Sequence, residues 1–125
     1  MLESTEHTTQ LLARHSTSIA GRTILVIDDE PLILLDLALA LEKAGATVLP
    51  ASSIKDAMRR AEEPNLSGAV LDWVSADICQ RLTERHLPFV FYSGRPASEF
   101  TDWKAPVVAK PARPEEIIAA LECVL

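Results

Sequence analysis

Five short runs of apolar and β-branched residues recur along this chain, and helix start and stop signals fill the stretches between them. The runs are Thr23–Ile27, Thr47–Ala51, Gly68–Asp72, Phe89–Ser93 and Pro106–Ala109. Strands this apolar are buried on both faces, and that requires helices on both sides of a parallel sheet. The intervening signals agree. Pro31 stands where a helix begins, because its missing N–H costs nothing there. A helix follows over Leu32–Ala44, and Gly45 supplies its end. Ser53 can cap a helix running to Glu63, with Pro64 and Asn65 as the stop. Ala76–His86 reads as a helix with Arg81, Glu84 and Arg85 outward. Gly94–Lys104 reads as a loop with at most a turn or two of helix. Pro114 opens a last helix, and Glu115 and Glu116 suit its positive end. The order is therefore βαβαβαβ(α)βα, an α/β chain with a doubly wound sheet.

The 125 residues make one domain, and 48% of them are hydrophobic, enough for a core of its own. The formal net charge of −6, with no dense basic cluster, excludes the usual nucleic-acid and anionic-membrane binders. No apolar run reaches the roughly 18 residues that span a bilayer. Residues 1–21 are polar, carry Glu3 and Glu6 and lack the apolar core of a signal peptide. They read as a flexible extension ending at Gly21, with the folded domain over 22–125, and the expected address is the cytoplasm. Cys79 and Cys123 form no C-x-x-C pair and fall on helices expected to cover opposite faces of the sheet, so no bridge is expected. His7, His15 and His86 are too scattered to suggest a metal site.

In an open parallel sheet the working crevice lies beyond the C-terminal ends of the strands. The first strand ends in Asp28, Asp29 and Glu30, the third in Asp72, the fourth in Ser93 and the fifth in Lys110-Pro111. Crowded carboxylates repel, and a divalent cation such as Mg²⁺ is the natural remedy. A carboxylate beside such a cation can attack a phosphoryl group. An ammonium and a hydroxyl can then hold the phosphoryl oxygens. Taken singly, each residue has a plain structural reading as a cap, turn or loop residue. Their joint placement at the ends of separate strands is what points to chemistry.

The motifs VIDDEP, VLDW, FVFYSG and AKPA, carrying Asp28, Asp29, Asp72, Ser93 and Lys110, resemble those of receiver domains of two-component response regulators. The resemblance covers Arg22–Leu125, and PFVFYSG is similar to the PFxFATG motif of small stand-alone receivers. It implies a flavodoxin-like five-stranded parallel sheet of order 2-1-3-4-5. It implies Asp72 as phospho-acceptor, Ser93 and Lys110 on the phosphoryl group, and a cis Lys110–Pro111 bond. Mg²⁺ would be held by Asp29, Asp72 and the backbone carbonyl of Val74, with Asp28 binding through water. Departures are also legible. Only 21 positions separate Asp72 from Ser93 and 17 separate Ser93 from Lys110, so the fourth helix should be shortened or irregular. Val107 stands where the family has an aromatic switch residue, so a signal would travel through ordering of the Gly94–Lys104 loop instead. Val74 cannot orient a hydrolytic water, which implies slow autodephosphorylation, while Arg95 is placed to contact the phosphoryl region.

The implied role is a phosphoryl-accepting receiver in a two-component system or phosphorelay, not an enzyme with a separate substrate. It would act by protein contact, with no output domain in these residues. The partners implied are a histidine kinase or phosphotransfer protein and a downstream protein, with the chain monomeric or weakly dimeric. The Leu32–Ala44 helix carries more leucine and isoleucine than one stripe can bury, which reads either as a wide core contact or as a docking face for the kinase or a second copy. Phe100 and Trp103 are expected to cap the core where a helix is missing. A degenerate receiver, binding a partner without phosphorylation, is the alternative. A haloacid-dehalogenase-type phosphohydrolase would need D-x-D after the first strand, where Asp28-Asp29-Glu30 stands.

Overall fold

The computed structural model of the chain describes residues 19–72 and 76–125. Its strands are β1 (Thr23–Ile27), β2 (Thr47–Ala51), β3 (Leu66–Leu71), β4 (Phe89–Ser93) and β5 (Val107–Ala109). They form one parallel sheet in the order β2-β1-β3-β4-β5. This is the flavodoxin-like arrangement. The helices are α1 (Pro31–Lys43), α2 (Ile54–Arg60), α3 (Ala76–Glu84) and α4 (Pro114–Val124). Pro50 lies within β2, and the topology puts that strand at an edge, where a missing ladder donor is tolerated.

Alternation along the strands splits the core in two. Leu25, Ile27, Ala69, Leu71, Phe89 and Phe91 face α2 and α3. Ile24, Val26, Val70, Val90 and Tyr92 face α1 and α4. Cys79 on α3 and Cys123 on α4 are both free, the first buried and the second exposed. Burial pushes the Cys79 thiol up to about 11. A thiol reagent such as Ellman's should therefore titrate one cysteine, Cys123, in the native protein and both in guanidinium. Two fast thiols in the native state would contradict this burial.

Two helix ends differ from expectation for identifiable reasons. The helix capped by Ser53, whose hydroxyl accepts the Asp56 N–H at 3.2 Å, ends at Arg60 rather than Glu63. The Arg85 guanidinium donates to the carbonyls of Ala61 (2.6 Å) and Glu63 (3.0 Å), holding them in a turn. Helix α3 ends at Glu84 because His86 is left-handed (φ 58°) and the Leu87 N–H turns back to the Leu82 carbonyl. Between β4 and β5 there is only a 3₁₀ turn, Ala97–Phe100, as the short spacing required.

Of the extension read over 1–21, residues 1–18 lie outside the described residues, while Ile19 is fully buried between α1 and α4. Burying such a side chain contributes about 2 kcal/mol. The Gly21 N–H donates to the Gly45 carbonyl at 2.9 Å, which fastens this segment to the end of α1. Gly45 serves twice here. It takes φ 100°, and a Cβ on it would stand 2.9 Å from that of Ala20.

On α1, Leu37, Ala38 and Leu41 are buried. Leu32, Leu35 and Leu39 are 80%, 55% and 58% exposed, so the excess apolar side of this helix does face outward.

Candidate functional site

Backbone pairing brings the strand ends together before any side chain acts. The Asp28 N–H donates to the Ala51 carbonyl, and the Asp72 N–H to that of Ile27. These bonds extend the ladder by one residue past β1 and β3, so both carboxylates emerge on the same rim. The Lys110 N–H donates to the Ser93 carbonyl at 2.9 Å, which brings the end of β5 alongside that of β4. The Lys110–Pro111 bond is cis.

The side chains then converge. The Lys110 ammonium donates to Asp28 Oδ2 at 2.9 Å and to Asp72 Oδ1 at 2.5 Å. Asp28 is 1% exposed, and its other oxygen accepts the Glu30 N–H at 2.9 Å, at the entry to α1. Asp29 is more exposed, but an oxygen from each of Asp28, Asp29 and Asp72 lies within 4.8 Å of the others. Hard carboxylate oxygens in that number and spacing fit a divalent cation of the Mg²⁺ or Ca²⁺ kind.

The electrostatics follow from this crowding. Burial raises the Asp72 carboxyl above its ordinary value. The Lys110 hydrogen bond opposes that shift, and the negative charges of Asp28 and Asp29 add to it. Burial alone would lower the Lys110 ammonium, but its hydrogen bonds to Asp72 and Asp28 outweigh this and leave it raised. The lysine thus stands in for the positive charge that three carboxylates require.

Ser93 is buried at the end of β4, and its Oγ accepts the Arg95 N–H at 3.1 Å. The hydroxyl proton stays available for another acceptor. The Arg95 guanidinium pairs with Glu99 at 3.1 Å on the surface. Val74, named from sequence as a carbonyl ligand, lies outside the described residues. Val107 is half-buried in β5, whereas Phe100 is fully buried against Phe91. A groove of about 800 Å³ lined by His86, Pro88, Phe89, Trp103 and Lys104 lies at the opposite, N-terminal ends of β4 and β5, away from the carboxylates. One contact at the site was not read from sequence. The Tyr92 ring lies beneath the Lys110 ammonium, 5.3 Å from its centroid. The signal available was an aromatic residue directly before Ser93.

No family model and no curated protein matches the chain at the sequence level. Solved structures do. A response regulator receiver protein from Sinorhizobium medicae superimposes with a TM-score of 0.75 at 26% identity, over 82% of this chain and 93% of that one. A Vibrio cholerae chemotaxis protein gives 0.74 at 18% identity, over 85% and 100%. A Burkholderia pseudomallei response regulator, solved with a phosphorylated aspartic acid and a calcium ion, gives 0.70 at 25% identity, over 80% and 66%. The architecture of this chain is that of a response-regulator receiver domain, and its structural neighbours are receiver domains.

Proposed function

We propose that this chain is a phosphoryl-accepting signalling receiver of a two-component system or phosphorelay, phosphorylated on Asp72. The reading is carried by one observation. Three carboxylates from the ends of β1 and β3 gather within 4.8 Å, and the lysine after β5 bridges two of them. The receiver neighbours support a signalling role in general.

In the proposed reaction an Asp72 oxygen attacks the phosphorus of a phosphohistidine on a kinase or phosphotransfer protein. The new P–O bond forms as the P–N bond breaks, and the imidazole keeps the electron pair and takes up a proton. Mg²⁺ held by Asp28, Asp29 and Asp72 would supply positive charge against the phosphoryl oxygens. Lys110, already within hydrogen-bonding distance of Asp72, turns to one of those oxygens, and the Ser93 hydroxyl donates to another. The chain accelerates its own phosphorylation and loses the group slowly, with no separate substrate. The exposed Leu32, Leu35 and Leu39 stripe on α1 suits the helical surface of the phosphodonor. Output passes through the segment after Ser93 to a further protein.

The test is a titration of Mg²⁺ and then beryllofluoride, a stand-in for the phosphoryl group, followed by the fluorescence of Trp73. Trp73 directly follows Asp72 in sequence, and Trp103→Phe removes the other tryptophan. Saturable Mg²⁺ binding and a beryllofluoride response lost in Asp72→Asn are the expected results. A folded protein that responds to neither is a degenerate receiver. In that case Lys110 serves only to neutralise Asp28 and Asp72.

A further inference from the structure

We infer that Tyr92 is a positioning residue for Lys110. The inference rests on the phospho-receiver reading and assigns a role to a residue outside the set described above.

Lys110 reaches the carboxylates from the end of β5, a three-residue edge strand paired only with β4. So short a strand holds its C-terminal continuation weakly. Two adjacent β4 residues supply what the strand lacks. The Ser93 carbonyl accepts the Lys110 N–H. The Tyr92 hydroxyl accepts the Ala112 N–H at 3.2 Å and donates to the Ala112 carbonyl at 3.4 Å. The segment 110–112 is thus tied at both ends to β4. The third hold is on the side chain itself, since the Tyr92 ring face lies 5.3 Å from the Lys110 ammonium, within cation–π range. Tyr92 is buried between α1 and α4, so its ring has little freedom to move.

Tyr92→Phe keeps the ring and removes the tether. A pocket of about 50 Å³ is lined by Tyr92 and Ala112 together with Ile33, Asp36, Leu37 and Ile117. It has room for water to satisfy Ala112 in the variant, so folding survives while Lys110 loses its fixed approach.

The experiment compares Mg²⁺ affinity, beryllofluoride affinity and the rate of phosphorylation by acetyl phosphate. It uses the parent, Tyr92→Phe, Lys110→Ala and the double variant. Tyr92→Phe should weaken beryllofluoride binding and slow phosphorylation by about tenfold, the low end for loss of an outer partner of a binding group. Mg²⁺ affinity should stay within about twofold, and Tyr92→Phe should add nothing once Lys110 is alanine. Mg²⁺ and beryllofluoride affinities falling together, or the same penalty in both backgrounds, would reduce Tyr92 to general packing and overturn the inference. So would a Tyr92→Phe variant equal to the parent. A parent that binds no beryllofluoride overturns the phospho-receiver reading itself, and the parent measurement alone reveals it.

Discussion

Lys110→Ala is expected to slow phosphorylation by acetyl phosphate by about 100-fold or more while Mg²⁺ binds more tightly, not less. The two effects have opposite signs because the proposed function gives the ammonium two roles. Toward a phosphoryl group it would be a charged donor aimed at developing negative charge, and removing one such donor costs about 100- to 1000-fold. Toward a cation it is a competitor, since it already occupies Asp28 Oδ2 and Asp72 Oδ1. The stability of the cation-free protein should also fall, by about 1–3 kcal/mol at neutral pH, because Asp28 is left buried without its partner. Mg²⁺ should restore much of that loss.

The pH dependence gives a second handle on the same variant. In the parent, the folded-state value of Lys110 lies above its ordinary 10.5. Its stabilising contribution is therefore complete below 10.5 and is lost as pH rises through the folded value. The variant lacks this alkaline loss. Asp72 behaves in the reverse sense. Its folded value lies above the ordinary 3.8, so the folded state holds the proton more tightly than the unfolded chain. Its ionisation therefore disfavours folding as pH rises above 3.8. Removing Lys110 raises Asp72 further, since the lysine is what holds it down. The stability gap between parent and variant should thus be widest near neutral pH and close as pH falls toward 3.8. Unfolding in urea at a series of pH values measures it. A gap that widens in acid would mean that the lysine is not paired with these carboxylates in solution.

The carboxylates and the lysine were legible in sequence because each stands directly after an apolar run, and parallel strands place such residues on one rim whatever the side chains do. The parallel sheet covered on both faces was legible from the alternation of strands and helices, whereas the strand order came only with the resemblance to receiver domains. Ile19 was not legible. It is a single apolar residue after a stretch rich in serine and threonine, with no periodicity around it, and its neighbour Ala20 packs where a Cβ on Gly45 would stand. The end of α2 lies earlier than Pro64 and Asn65 suggest because it is set by Arg85, more than twenty positions downstream. Tyr92 was read as one more apolar strand residue. The partner of its hydroxyl is the backbone of Ala112, which leaves no mark on residue type. Contacts that depend on side chains distant in sequence, or on main-chain groups, are the ones that pattern cannot carry.

Phe100→Ala is expected to destabilise the fold by about 3–5 kcal/mol, the range for deleting a buried aromatic side chain. That is a large part of the roughly 5–15 kcal/mol by which domains are stable. The reason lies in the missing helix. On the sheet face covered by α2 and α3, the β4 side has only the 3₁₀ turn and the residues after it. Phe91 would lie open to water there. Phe100, 1% exposed, stacks on it with ring centroids 4.5 Å apart, and Trp103 meets Phe89 edge-on at 6.4 Å. Phe100 and Trp103 thus do the covering that a helix would do. Leu35→Ala is the matched control. It removes an apolar side chain from the exposed side of α1 and should change stability by no more than about 0.5 kcal/mol. Equilibrium unfolding of both variants decides the point. If Phe100→Ala cost no more than Leu35→Ala, the turn would not be a lid on the core, and the segment after Ser93 would be free to move in the resting protein. In the resting protein the segment is held at both ends, Arg95 by the Ser93 hydroxyl and Phe100 by the Phe91 ring.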